Sequence, residues 1–323
     1  MLSRLRSPWS GFLITKALEI LVSVAVLIVV TFVIVLLVPG DPARSAAGVD
    51  ATLEQVEMAR ERMGLDKPVL EQFWAYLTGL FQGDLGQSYR TANTVVEVIG
   101  VRLPYTVSLT VVSIILTVIV AVSAGMIVAG LTRGGRNRWL DIGFSWATAL
   151  FQSAPTYVIG SILVAVFAVS LGILPAAGAN TPVSYVLPVI AMSIGPICAV
   201  ARVVRREAAT ALEQDYMRTA RGRRISAAKQ YVVYALPNLL ASTLTLSGLI
   251  LASMLGGAII IESVFAWPGL GSAIVTAIID RDYPVIRGII LTVGTLAVLI
   301  HVAIDIVLAS VDPRTLSTRK TLV

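Results

Sequence analysis

Residues 213–237 read EQDYMRTARGRRISAAKQYVVYALP, a charged island between two long apolar stretches. Upstream, Ile142–Ala201 holds no Asp, Glu, Lys or Arg, and downstream Gln230–Ile261 holds none either. A hydrocarbon core about 30 Å thick is crossed by about 20 apolar helical residues, so the island joins two membrane-spanning regions. In it Arg218, Arg221, Arg223, Arg224 and Lys229 outweigh Glu213 and Asp215. Cationic connections stay on the cytoplasmic side. The strip is expected in the cytoplasm, and its length and charge pattern suit a contact surface better than a turn.

Outward from the island, further uncharged runs cover Ile20–Gly40, Leu103–Thr132 and Gly288–Ile304. The run 142–201 is too long for one span, and its middle, Gly172–Pro182, is dense in turn formers. Six spans are predicted, at 14–38, 103–131, 142–170, 184–204, 238–261 and 286–309. With 323 residues, 56% hydrophobic and 14% charged, length alone permits a soluble α/β enzyme, but the clustering of charge excludes it. The fold class predicted is an all-α integral membrane protein with six transmembrane helices and a helical extracytoplasmic insert between the first two. The parts are an N-terminal tail and first span (1–38), the insert (39–101), a five-span core (102–311) carrying the cytoplasmic loop 202–237, and a tail (312–323). Placing both termini and the loops 132–141 and 202–237 on one side gathers most of the 25 basic residues there, so that side is cytoplasmic. The net charge of +6 thus reflects topology, and no nucleic acid is needed to explain it. A signal peptide competes for the N-terminus, since Arg4, Arg6 and Lys16 precede an apolar run. That run ends in Pro-Gly-Asp-Pro without a small-x-small cleavage site, which favours a retained first span.

The insert reads as two short helices. Thr52 or Asp50 caps the first, Leu53, Val56 and Met63 share a face, and Gly64 stops it. Pro68 starts the second, whose apolar face is Val69, Leu70, Phe73, Trp74, Leu77 and Leu80 before Gly83. Such a unit serves as a cap on the spans, as a docking platform for a soluble partner, or as both.

No catalytic set is present. One His and one Cys in the chain rule out a multi-histidine metal site and a Cys-x-x-Cys motif, and no Gly-x-x-x-x-Gly-Lys-Ser/Thr cradles nucleotide phosphates. No enzyme activity and no metal site are expected. Cys198 reads as a small packing residue. His301 and Asp305 share a face of the last span; a structural hydrogen bond or subunit contact is favoured over the proton relay that would make this a secondary transporter. Glu19 reads as interfacial. Gly195-Pro196 signals a kink, for packing or for flexibility.

Counting back from Leu236-Pro237 gives a spacing similar to the loop of ABC importer permeases: Glu-Ala-Ala, three residues, Gly, nine residues, Ile, one residue, Leu-Pro. The triplet falls on Arg218-Thr219-Ala220 and the Gly position on Arg224, whereas Glu207-Ala208-Ala209 has no Leu-Pro at the right distance. Asp215–Arg221 resembles the version in peptide-importer permeases of the DppB/OppB-like branch. Further blocks resemble that family: Pro39–Pro42, Met63–Pro68, Gly83–Tyr89, Glu262–Gly271, Arg281–Pro284 and Asp312–Arg314. The resemblance implies a type I ABC importer fold in a bacterial plasma (inner) membrane, multi-pass, with both termini cytoplasmic. It implies as partners a second homologous permease subunit, two cytosolic ATPase subunits that bind ATP and Mg2+, and an extracytoplasmic substrate-binding protein, all around a lipid bilayer; this chain itself holds no cofactor.

Coupling to the ATPase is then expected through Asp215, Tyr216, Met217, Arg218, Thr219, Ala220, Arg221, Gly222, Arg224, Leu236 and Pro237. Tyr216 and Met217 would fill a groove, Ala220 would allow close approach, and Gly222 would make the turn that Arg224 lacks. Glu54, Glu57, Glu61 and Asp84 are expected to face the binding protein. Trp267, Pro268, Gly269, Asp282 and Tyr283 are expected at an extracytoplasmic gate, the two aromatic rings at the membrane–water interface and Asp282 on nearby backbone amides, within a re-entrant segment near 262–284. The cargo expected is a dipeptide or oligopeptide; the same resemblance extends to importers of haem, nickel chelates and glutathione.

Overall fold

The computed structural model describes residues 8–37, 40–48, 50–91, 93–226 and 229–311, apart from side chains at 8, 238, 240–242, 244, 245 and 311. Arg4, Arg6, Pro39, Val38 and the 312–323 tail with Asp312–Arg314 lie outside the described residues. Twelve α-helices are described: α1 (Pro8–Leu36), α2 (Pro42–Ala47), α3 (Leu53–Arg62), α4 (Val69–Phe81), α5 (Val95–Leu131), α6 (Arg138–Ser153), α7 (Thr156–Leu163), α8 (Val186–Glu213), α9 (Asp215–Gly222), α10 (Leu236–Val264), α11 (Leu270–Asp280) and α12 (Tyr283–Val311). Wider π-helical turns prolong α7 through Val164–Ser170 and lead into α10 at Gln230–Ala235.

Among the described residues, five segments are long and apolar enough to cross a membrane: Trp9–Leu36, Val95–Leu131, Pro182–Glu213, Leu246–Val264 and Tyr283–Ser310. A sixth span exists if Arg138–Ser153 and Thr156–Ser170 count as one, but these are bent by 95°. The span expected over 142–170 is thus met by a pair of helices with a sharp break between them. Proline disfavours a helical residue before it, and Ala154 is extended (φ −74°, ψ 127°) ahead of Pro155, which opens α7. By contrast α8 continues through Pro196.

The bundle is built on α5 and α8, its most extensive helix pair. Thr106, Thr110, Ser113, Thr117, Ala121, Gly125 and Ala129 recur every three or four residues on α5 and are all buried. Small side chains let membrane helices approach closely. A Cβ on Gly125 would stand 2.7 Å from the Ala201 carbonyl oxygen of α8. Around this seam α10 packs on α8 and α12, α6 on α8, and α1 on α12. The insert helix α4 leans on the end of α1, where Phe73 meets Phe32 edge-on at 5.1 Å. Trp74, expected beside Phe73 in that packing, is instead 56% exposed.

Candidate functional site

The charged island folds into an eight-residue helix held against the end of α8. Gln214 is extended (φ −64°, ψ 155°), so α9 starts afresh after α8. Met217 and Ala220 turn inward, buried among Met126, Ala129, Ala208, Leu212 and Leu239. This corrects the outward face expected for Met217 and Ala220: an α-helix of eight residues has two faces, and this one uses its apolar positions to fix itself to its own chain. The opposite face exposes Asp215, Tyr216, Arg218, Thr219, Gly222, Arg223 and Arg224. Arg218 lies 3.5 Å from Asp215, an exposed pair of little energetic weight. Arg221 donates to the Leu212 carbonyl at 3.1 Å, tying α9 to α8. Burial first, then the like charges of Arg133 and Arg218, lowers the proton affinity of Arg221 below its ordinary value. The surface is short of counter-charge.

Gly222 does not make the terminal turn. Arg224 does, with φ +54°. The Arg224 amide donates to Arg221 at 2.8 Å and the Ile225 amide to Ala220 at 3.2 Å, the bond pair of a Schellman C-cap, whose left-handed residue is usually Gly. Leu236 packs against the same core as Met217, and Pro237 sits exposed in the first turn of α10, where proline's missing N–H costs nothing.

At the far end of α8 stands the second group. Trp267 is completely buried, edge-on to Tyr185 at 4.6 Å and to Tyr105 at 6.5 Å. Its indole N–H donates to the Tyr105 carbonyl at 3.2 Å. Tyr283 is buried too. The interfacial placement of both rings is thus corrected: they pack inside the chain. Pro268 lies just beyond Ala266, which takes left-handed backbone (φ +44°), and Gly269 begins α11. Beneath them lies Glu262, wholly buried. Its side-chain oxygens accept from Thr106 Oγ1 (2.6 Å), the Gly271 amide (2.6 Å) and the Ser272 amide (3.1 Å), the two amides lying in the first turn of α11. A Cβ on Gly269 would come within 2.3 Å of that carboxyl group. Asp282 does not bond its own turn's amides by side chain; it accepts from Ser88 Oγ and, at 3.1 Å, from the Tyr89 amide, joining the 83–89 and 281–284 blocks.

Residues 121–317 match the model of the binding-protein-dependent transport system inner membrane component, and residues 10–110 match the corresponding N-terminal component. The chain belongs to this permease family. It is 37% identical over 304 residues to the glutathione transport system permease protein GsiC of Pectobacterium atrosepticum, covering 94% of this chain and 98% of that one. To GsiC of Escherichia coli strain K12 it is 35% identical over 303 residues, with the same coverage. Among solved structures, the inward-facing MetNI methionine ABC transporter superposes with TM-score 0.57 at 19% identity, over 66% of this chain and 96% of that one. That likeness concerns the type I importer fold.

In the permease, Glu54, Glu57 and Glu61 are exposed on α3; Glu57 pairs with Arg60 at 3.3 Å, and Arg60 reaches Asp41 at 2.6 Å. Asp84 is exposed but turned onto the Gly86 amide at 2.8 Å. Asp305 pairs across helices with buried Lys16 at 2.5 Å; Lys16 also pairs with Glu19. Glu262 escaped the sequence reading as a site residue, although a lone carboxylate closing a charge-free run before Pro-Gly was its visible signal.

Proposed function

We propose that this permease forms half of the pathway of an ATP-driven importer of small peptides, glutathione among them, and that α9 is where a cytosolic ATPase grips it. The observation that carries the reading is the two-sided character of α9: Met217 and Ala220 key it into the core, while Tyr216, Arg218, Arg223 and Arg224 stand outward with a surplus of positive charge. Acidic groups on an ATPase bearing nucleotide and Mg2+ complement that face. A second permease chain completes the pathway, and a binding protein delivers cargo to the α3 end with its row of Glu54, Glu57 and Glu61.

Motion passes along α8. Its 28 residues extend about 42 Å, from α9 to Tyr185, which packs on Trp267. Moving α9 as a rigid piece displaces Tyr185 and so loosens or tightens the turn over Glu262. Nucleotide drives this through unequal affinity for the two states. The Lys16–Asp305 ion pair gives Asp305 a structural partner and weighs against a proton relay with His301. Uptake of labelled glutathione and labelled dipeptides, measured competitively in cells expressing the whole transporter, tests the cargo class. Mutual competition supports it; transport of neither, with haem or a nickel chelate accepted instead, rejects it.

A further inference from the structure

Among the described residues Arg287 has no carboxylate partner. It sits one turn inside α12, its charge over the Phe32 ring at 4.8 Å and the Tyr76 ring at 5.4 Å. Its Nε is buried with no hydrogen-bond partner among the described residues. The residue as a whole is half-buried, and leaving a partly desolvated cation unpaired is costly. The neighbouring phenols do not neutralise it, since burial pushes Tyr76 and Tyr89 up from their ordinary values and keeps both protonated.

Beside Arg287 opens a cavity of about 230 Å³ whose lining includes Lys67, Gln72, Tyr76, Tyr89 and Arg287. The sole acid on that lining, Asp84, is exposed and engaged with the Gly86 amide. The walls come from α4 and from the Met63–Pro68 and Gly83–Tyr89 blocks together with Pro284, the last three being sequence signatures that the coupling surface does not use. Depth in the bilayer points the same way. The segment Tyr283–Ser310 has 28 residues, about 42 Å against a core of about 30 Å. If it is centred, each end projects about 6 Å, and Arg287, one turn in from Tyr283, lies at the hydrocarbon boundary, from which a long guanidinium side chain reaches the phosphates of the headgroup layer just outside. Nearby, Leu70, Trp74 and Phe81 of α4 present exposed apolar surface.

We propose that this cavity binds a phosphate group, held by Arg287 and Lys67, from a phospholipid headgroup of the adjacent leaflet or from free phosphate. Guanidinium forks match phosphate oxygens, and the anion supplies the charge that the fold omits.

The test uses the full chain, purified in detergent and delipidated. It is titrated with dioctanoyl phosphatidylglycerol, with dioctanoyl glycerol lacking the phosphate, and with inorganic phosphate, followed by native mass spectrometry and melting temperature. Binding of phosphatidylglycerol but not of dioctanoyl glycerol is expected and assigns the lipid source. Binding of inorganic phosphate with equal affinity assigns the free anion. Arg287→Gln should weaken binding at least about tenfold, the scale of one charge-assisted hydrogen bond, and Lys67→Ala should weaken it about threefold, as a more exposed charge does. No phosphate-dependent binding, or binding unchanged by Arg287→Gln, overturns the proposal. Should Arg287→Gln not fold, Lys67→Ala decides: weaker binding supports the site and unchanged binding overturns it.

Discussion

Arg224 occupies left-handed backbone at φ +54°, a conformation that costs a side-chain-bearing residue about 1 kcal/mol. Arg224→Gly should therefore raise the melting temperature slightly and leave the amount of permease in the membrane unchanged, as measured by thermal unfolding in detergent. A fall in stability would mean that the Arg224 side chain makes a contact worth more than its backbone strain. Glu262 is the opposite case, a residue whose removal is felt everywhere around it. Glu262→Ala leaves the Gly271 and Ser272 amides and the Thr106 hydroxyl facing a void, and each stranded donor costs about 1–3 kcal/mol. The variant should accumulate poorly, and its α11 should exchange amide protons faster than in the parent. Normal exchange there would show that water replaces the carboxyl group.

Helices and their faces were legible in the sequence to different depths. The spans could be read because an uncharged apolar run of bilayer length is seldom anything but a membrane helix. The caps at Thr52 and Gly64 could be read from local chemistry; the structure has a capping box at Thr52 and positive φ at Gly64. The 95° break at Ala154-Pro155 was also visible, but a search by charge passes over a proline in an apolar run. The buried face of α5 was visible too, as small residues from Thr106 to Ala129 at helical spacing. What could not be read is which side of α9 faces home. Met217 and Ala220 would suit a partner's groove as well as their own core, and only the position of Ala208, Leu212 and Leu239 decides it. The same holds for Trp267, whose amphipathic ring suits an interface until Tyr185 and Tyr105 enclose it. At this scale Ala220→Glu becomes a folding variant: a carboxylate in a site 3% exposed should reduce the folded permease in the membrane, seen by immunoblot of extracted protein. Full yield with normal melting would reverse the assignment of the inward face.

Across the whole molecule, α8 connects a cationic surface to a buried aromatic turn. Coupling through α9 requires the Glu54 end and the Arg223 end to lie on opposite sides of the bilayer, with α9 in the cytoplasm. Cys198 is buried and gives little background labelling. A Cys at Glu54 should react with an impermeant thiol reagent in intact cells, and a Cys at Arg223 only after the cells are opened; the reverse pattern would invert the topology. Whether the outer face of α9 transmits the work of the ATPase is decided by one rate. That rate is cargo-stimulated ATP hydrolysis in the reconstituted transporter carrying Arg218→Glu and Arg223→Glu, both exposed and neither in the core. A permease of normal yield and melting temperature is expected, with ATP hydrolysis that no longer responds to loaded binding protein. Undiminished stimulation would contradict the coupling role and move the contact elsewhere, to the cations of 133–138 first.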